Sequence, residues 1–195
     1  MLRPNTISRL LGYYFNTPKY DSDLIRSTRE FFDKPNFERN QGVSGVGESI
    51  GFYNEWFMYD FLLSSNETPL ANFVRMNPFS MSKEEIRVYE DLLDNHFDLF
   101  EILDVKPTKG MALKSLHDQK EFFVEEFSVS LDAQKGFGIF TRVAKVGDHY
   151  EMVGSDLFAV PLSNPVFKPY LEKILKKTNL NPKDIHIMLT TGDMK

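Results

Sequence analysis

The stretch Ile50-Gly-Phe-Tyr-Asn-Glu-Trp-Phe-Met-Tyr-Asp-Phe-Leu-Leu63 decides how the rest of the chain is read. It holds the only tryptophan, Trp56, and three firmly polar side chains, Asn54, Glu55 and Asp60. At about 100° per residue on a helical wheel these three fall on different sides, which leaves no face for water. A central helix, buried all round, is the expected outcome. Glu55 and Asp60 lie about 140° apart on the wheel, too far to serve one substrate as acid and base. Buried acids must be paired or hydrogen-bonded, so Asn54, Glu55, Tyr59 and Asp60 are expected to be internal fastenings.

Working outward, helical spacing recurs on both sides of this stretch. Ile7, Leu10, Leu11, Tyr14 and Phe15 follow an i, i+3, i+4, i+7, i+8 pattern behind Asn5 and Thr6, and Pro18 closes it. A second helix starts at Asp21 or Ser22, carries Leu24, Ile25, Thr28, Phe31 and Phe32, and stops before Pro35. Downstream, Thr68 caps a short helix with Pro69 in its first position. Ser82 and Glu85 then form a capping box for a helix running to about Asn95.

From Phe97 the period shifts toward two. Short aromatic or β-branched runs alternate with PTKG, HDQ, DAQKG and GD, the last a hairpin signal. Five or six short strands in so little chain predict a small antiparallel β-barrel or curled sheet. The chain then returns to helix. Phe167, Tyr170, Leu171, Ile174 and Leu175 form an apolar stripe opposite Lys168, Glu172, Lys173, Lys176 and Lys177, and Asn181, Pro182 and Asp184 cap a last short helix. The expected class is α+β, with a helical region over 1–95, a β-rich module over 96–162 and C-terminal helices over 163–195 packing on the rest.

The composition, 42% hydrophobic and 26% charged, is that of a globular chain rather than a disordered one. A net charge of -5 argues against a dedicated nucleic-acid binder while leaving room for a local basic patch. The absence of cysteine removes disulfides, thiolate catalysis and sulfur-bound zinc. Four histidines, His96, His117, His149 and His186, show no metal-ligand spacing, so neither a metal nor a cofactor is expected. No apolar run reaches the roughly 18 residues of a membrane span and the N-terminus lacks a signal-like apolar segment, so a cytoplasmic protein is expected.

Two motifs invite a functional reading. Gly42 through Ser49 has P-loop spacing, but Glu48 stands where the phosphate-binding lysine belongs, which reads as a loop. Lys135-Gly-Phe137-Gly-Ile139-Phe140-Thr-Arg142 begins like an RNA-stacking strand and departs from it at Ile139 and Arg142. Phe137, Phe140, Arg142 and Lys145 are carried forward as candidate surface-contact residues.

The order Asn54-Glu-Trp-Phe-Met-Tyr-Asp60, a polar loop, Thr68-Pro-Leu70, Phe73, a Ser82-capped helix and His96-Phe-Asp-Leu-Phe-Glu101 resembles an uncharacterised group of bacterial proteins. Their members often end in a SEC-C motif, a short cysteine-rich zinc-binding tail. The likeness covers roughly residues 50 to 160, including the strand pair around Arg142 and Gly147. It implies an intracellular bacterial protein with a helix-plus-barrel core, and no reaction. The tail itself is absent: a lysine-rich helix stands in its place.

These readings favour a cytosolic, non-enzymatic binding or adaptor protein with a protein partner, using the β-rich module or the groove between it and the helical part. The first rival is a nucleic-acid-binding role for the module through Arg142, Lys145 and nearby aromatics. The second is an enzyme with a cleft around Glu55, Tyr59 and Asp60.

Overall fold

The computed structural model describes residues 5–36, 49–154 and 158–192. The glycine run with P-loop spacing lies outside these residues up to Glu48. The chain divides into two compact units, Leu2–Leu93 and Asp94–Lys195. Helices and a mixed sheet make it an α+β protein.

The first unit is helical: α1 (Thr6–Phe15), α2 (Asp21–Phe32), α3 (Ile50–Tyr59), α4 (Pro69–Met76) and α5 (Lys83–Asp91). Helix α3 is its core element. Phe52, Tyr53, Glu55, Trp56, Phe57, Met58 and Tyr59 are all buried, as a helix without a polar face must be. It is shorter than the apolar stretch that encodes it. The amides of Asp60 and Phe61 both bond the Trp56 carbonyl, and Leu63 leaves to bond Glu67. Neighbouring helices meet α3 through rings, with Phe31 against Trp56 at 5.4 Å and Tyr14 against Phe57 at 5.9 Å between centroids. The Tyr53 hydroxyl lies 2.8 Å from Ser27 Oγ, tying α3 to α2.

Side-chain caps form at Thr68 and Ser82 as expected, while Asn5 ahead of α1 makes no cap bond. Thr68 Oγ1 accepts from Ala71 N, and Ser82 with Glu85 makes the full capping box. Helix α5 ends at Asp91, earlier than its pattern suggests, because Asn95 already begins a strand.

The second unit holds β1 (Asn95–Lys106), β2 (Gly110–Ser115), β3 (Glu121–Glu125), β4 (Phe137–Val146), β5 (His149–Met152) and β6 (Phe158–Pro161), followed by α6 (Lys168–Ile174) and α7 (Pro182–Thr191). The order is β1-β2-β3-β5-β4-β6, and β1 also pairs with β4. Hydrogen bonds therefore run round a ring of five strands, with β6 outside it. Strand β4 makes this arrangement by dividing its edges. One edge pairs with β1 over Gly138–Ala144, while the other serves β6 near Phe137–Phe140 and β5 near Val143–Val146.

The sheet departs from the expected all-antiparallel form: β3 and β5 are parallel, with Val124 opposite Tyr150. A parallel pair needs a long crossover, and the whole of β4 lies between these two strands. The GD hairpin signal is realised at Gly147–Asp148, where Gly147 has φ 67° and Val146 pairs with His149. Inside the ring, Phe100, Ile102, Met111, Leu113, Val124, Ile139 and Val143 form one apolar cluster.

Candidate functional site

The residues singled out on β4 do not share a surface. Phe140 is fully buried, and Arg142 is 3% exposed. The Arg142 guanidinium donates to Asn95 Oδ1 and lies 5.3 Å from the centre of the Phe97 ring. Phe137 is half-buried against the apolar cluster, which leaves only Lys145 of the four exposed. The cause is the strand's position: paired on both edges, β4 turns Ile139 and Val143 into the ring and Phe140 toward Phe167 at 6.4 Å.

On α3, Glu55 is fully buried, Tyr59 is buried, and Asn54 and Asp60 are half-buried. A cleft of about 670 Å³ in the helical unit is lined by Ser22, Ile25, Arg26, Arg29, Glu30, Asp33 and Pro35, none of them from α3. Glu55, Tyr59 and Asp60 thus line no part of it.

What the fold does assemble is a polar cluster in the sheet unit. Period-two alternation on β1 puts His96, Asp98, Phe100 and Ile102 on one face, so Asp98 follows the apolar cluster along the strand. On the adjoining strand Ser115 is the register partner of Phe100, and His117 lies just beyond. Asp98, only 1% exposed, takes the Leu99 amide at 2.7 Å and His117 Nδ1 on Oδ1, and the Ser115 hydroxyl on Oδ2. His96 Nε2 stands 3.4 Å from Oδ2, within ion-pair range. Burial works to raise the Asp98 carboxyl, but contacts from His96, Ser115 and His117 outweigh it and hold the group below the usual carboxylate range.

The second nitrogen of His117 meets the carbonyl of Ile174, the last residue of α6, at 3.0 Å. Ser115 Oγ in turn accepts the Asp118 amide at 3.1 Å. Thr141, the register partner of Asp98, is buried, and its hydroxyl has no hydrogen-bond partner among the described residues. This cluster escapes sequence reading because His96 sits on β1 and His117 in the turn after β2. Its only trace is an H-x-D at 96–98 and an S-x-H at 115–117, which become informative once β1 and β2 are paired.

A second group lies at β5. His149 Nε2 is 2.7 Å from Glu151 and 3.8 Å from Glu125, and Nδ1 is 3.0 Å from Asp148. Asp148 raises the His149 imidazole, burial opposes it, and Glu151 adds to the rise. Glu125 and Glu151 are neighbours across the parallel pair, so the imidazolium offsets two like charges placed side by side.

Chemically, the Asp98 cluster is more fastening than reaction centre. The hydroxyl hydrogen of Ser115 points to a carboxylate, not to a base that would activate it, and both nitrogens of His117 are engaged. Among the described residues, no three His, Asp or Glu side chains converge as metal ligands. No described helix is long and apolar enough to cross a membrane. No protein-family model, curated protein or solved structure matches the chain.

Proposed function

We propose that this chain is a non-enzymatic binding protein of the cytoplasm, with its sheet unit as the contact surface and the five-stranded ring as a small barrel. The observation that carries this reading is the exposure of Phe123, Phe127 and Leu131, at 42%, 58% and 54%. These large apolar residues fall within nine positions of one another, on β3 and the segment after it, both of which meet the β1–β2 connection. Lys106 Nζ lies 5.0 Å from the Phe123 ring centre, and Ser130 Oγ, between Phe127 and Leu131, accepts the Thr108 amide at 3.0 Å. Apolar groups rimmed by polar ones mark contact sites more often than isolated exposed residues do. The engaged state of Ser115 and His117 supports the non-enzymatic half of the reading. So does the resemblance to bacterial proteins related to those with a SEC-C tail, which carries no reaction with it.

A protein partner is favoured over a nucleic acid. Phe123 beside Lys106 suits base stacking next to a phosphate. Yet Asp104, Glu121 and Glu125 are exposed on the same strands and repel a phosphate backbone.

The test compares the wild type with a Phe123→Ser, Phe127→Ser double variant as bait in native lysate, with absorbance read for bound nucleic acid. A protein retained by the wild type and lost by the variant is the expected result. Equal recovery by both removes this surface from the reading, and salt-sensitive nucleic acid on the wild type alone transfers it to the rival.

A further inference from the structure

We propose that His117 is a proton-dependent latch: charged, it holds the end of α6 on the sheet, and neutral, it releases it. Both ring nitrogens face oxygens that only accept. Nδ1 meets Asp98 Oδ1, and Nε2 meets the Ile174 carbonyl at 3.0 Å. A neutral imidazole carries one N–H, so it satisfies one of these contacts and turns a lone pair toward the other oxygen. The imidazolium satisfies both.

Which bond is lost on deprotonation follows from the partners. Asp98 is a buried carboxylate that already takes the Leu99 amide and the Ser115 hydroxyl, and its charge keeps the hydrogen on Nδ1. The loss therefore falls on Ile174, whose carbonyl also accepts the Lys177 amide at 3.0 Å. That carbonyl ends a helix, where positive charge is favoured. At the opposite end of α6, Phe167 leans on Phe140 edge to face. Loss of that bond leaves α6 held by Phe167 on Phe140 and by the fully buried Ile174 side chain, so its C-terminal end opens more readily while the Phe167 end stays in place.

The charged groups on the elements around the ring are few. His96 and Asp98 stand on β1, and Asp118 is paired with Lys120 at 2.8 Å in the turn that carries His117. Lys173 and Lys177 flank Ile174, with Lys177 paired to Asp184 of α7, and His186 lies further along α7. His96, His149 and His186 carry imidazoles too, so the test must separate them from His117.

Hydrogen exchange of the full chain, corrected for intrinsic rates, is followed at about pH 5.5 and about pH 8.5. Protection of amides 171–177 is expected to fall about tenfold at the higher pH, while the β1 and β4 amides hold. That factor is about 1.4 kcal/mol, the scale of one hydrogen bond to a charged group. In His117→Gln the step should vanish, with the sheet amides showing that the variant is folded. Equal protection at both pH values in the wild type overturns the latch, as does a step that survives in His117→Gln. Nitrogen-15 shifts of the wild-type ring supply an independent check. They should report hydrogen on both nitrogens at the lower pH, and a single neutral tautomer there defeats the proposal without any variant.

Discussion

Asp98 is a buried fastening of the sheet unit. Its carboxylate takes hydrogen bonds from a backbone amide, a hydroxyl and an imidazole, all in a site with almost no solvent. Replacing one member of such a set leaves the others unpaired and buried, which costs far more than the set contributes net. Asp98→Asn is expected to lower the stability of the sheet unit by about 3 kcal/mol, read from urea unfolding followed by circular dichroism. The same site sets an acid limit. Because the folded carboxyl lies below its unfolded value of about 3.9, its contribution is present above that pH and is lost as pH falls through the folded value. His149 has the opposite sign. Raised in the folded state, it stabilises below the unfolded value of about 6.5, and that part is lost as pH rises through the folded value. Stability of the sheet unit across pH should therefore decline on both sides, and His149→Asn should lessen the alkaline decline and leave the acid side unchanged. A variant that keeps the alkaline decline in full would show that another group causes it.

At the scale of elements, the turn entering β2 is held by a single atom's absence. Gly110 has φ 148°, and a Cβ built there would lie 2.0 Å from the Val124 carbonyl oxygen of β3. The obstacle is backbone, so no rotamer change relieves it. Gly110→Ala is expected to cost about 2 kcal/mol or more and to disturb the β2–β3 register, seen as lost amide protection at Val124 and Glu125. Full retention of those amides would show that the turn can shift. Helix ends were far more legible than strand neighbours. Thr68, Ser82 and Asn181 announce their helices in sequence because a cap is a contact three residues long. The Gly147–Asp148 hairpin is legible for the same reason. Phe140 and Arg142 show the limit. An alternating strand pattern states that two faces differ, but not whether the outer one meets water or another element, and here Phe167 covers it.

For the molecule as a whole, two compact units each carry their own apolar interior: rings around α3 in one, the ring-enclosed cluster in the other. Residues 94–195 produced alone are expected to fold, with dispersed amide resonances and protected β1 and β4 amides. A collapsed spectrum would mean that the sheet needs the helices. The sequence by itself determined the class, the helical first half, the change of period near Phe97, the caps at Thr68, Ser82 and Asn181, the Gly147–Asp148 turn, and the burial of α3. Each of these is set by neighbours within a few positions along the chain. Only the tertiary structure decided that β5 lies parallel to β3, that β4 closes the ring onto β1, and that Asp98, Ser115 and His117 meet. Strand pairing joins segments tens of residues apart, and its choice rests on which faces exclude water together. A linear pattern records that a residue avoids water, not which distant residue shares its shelter.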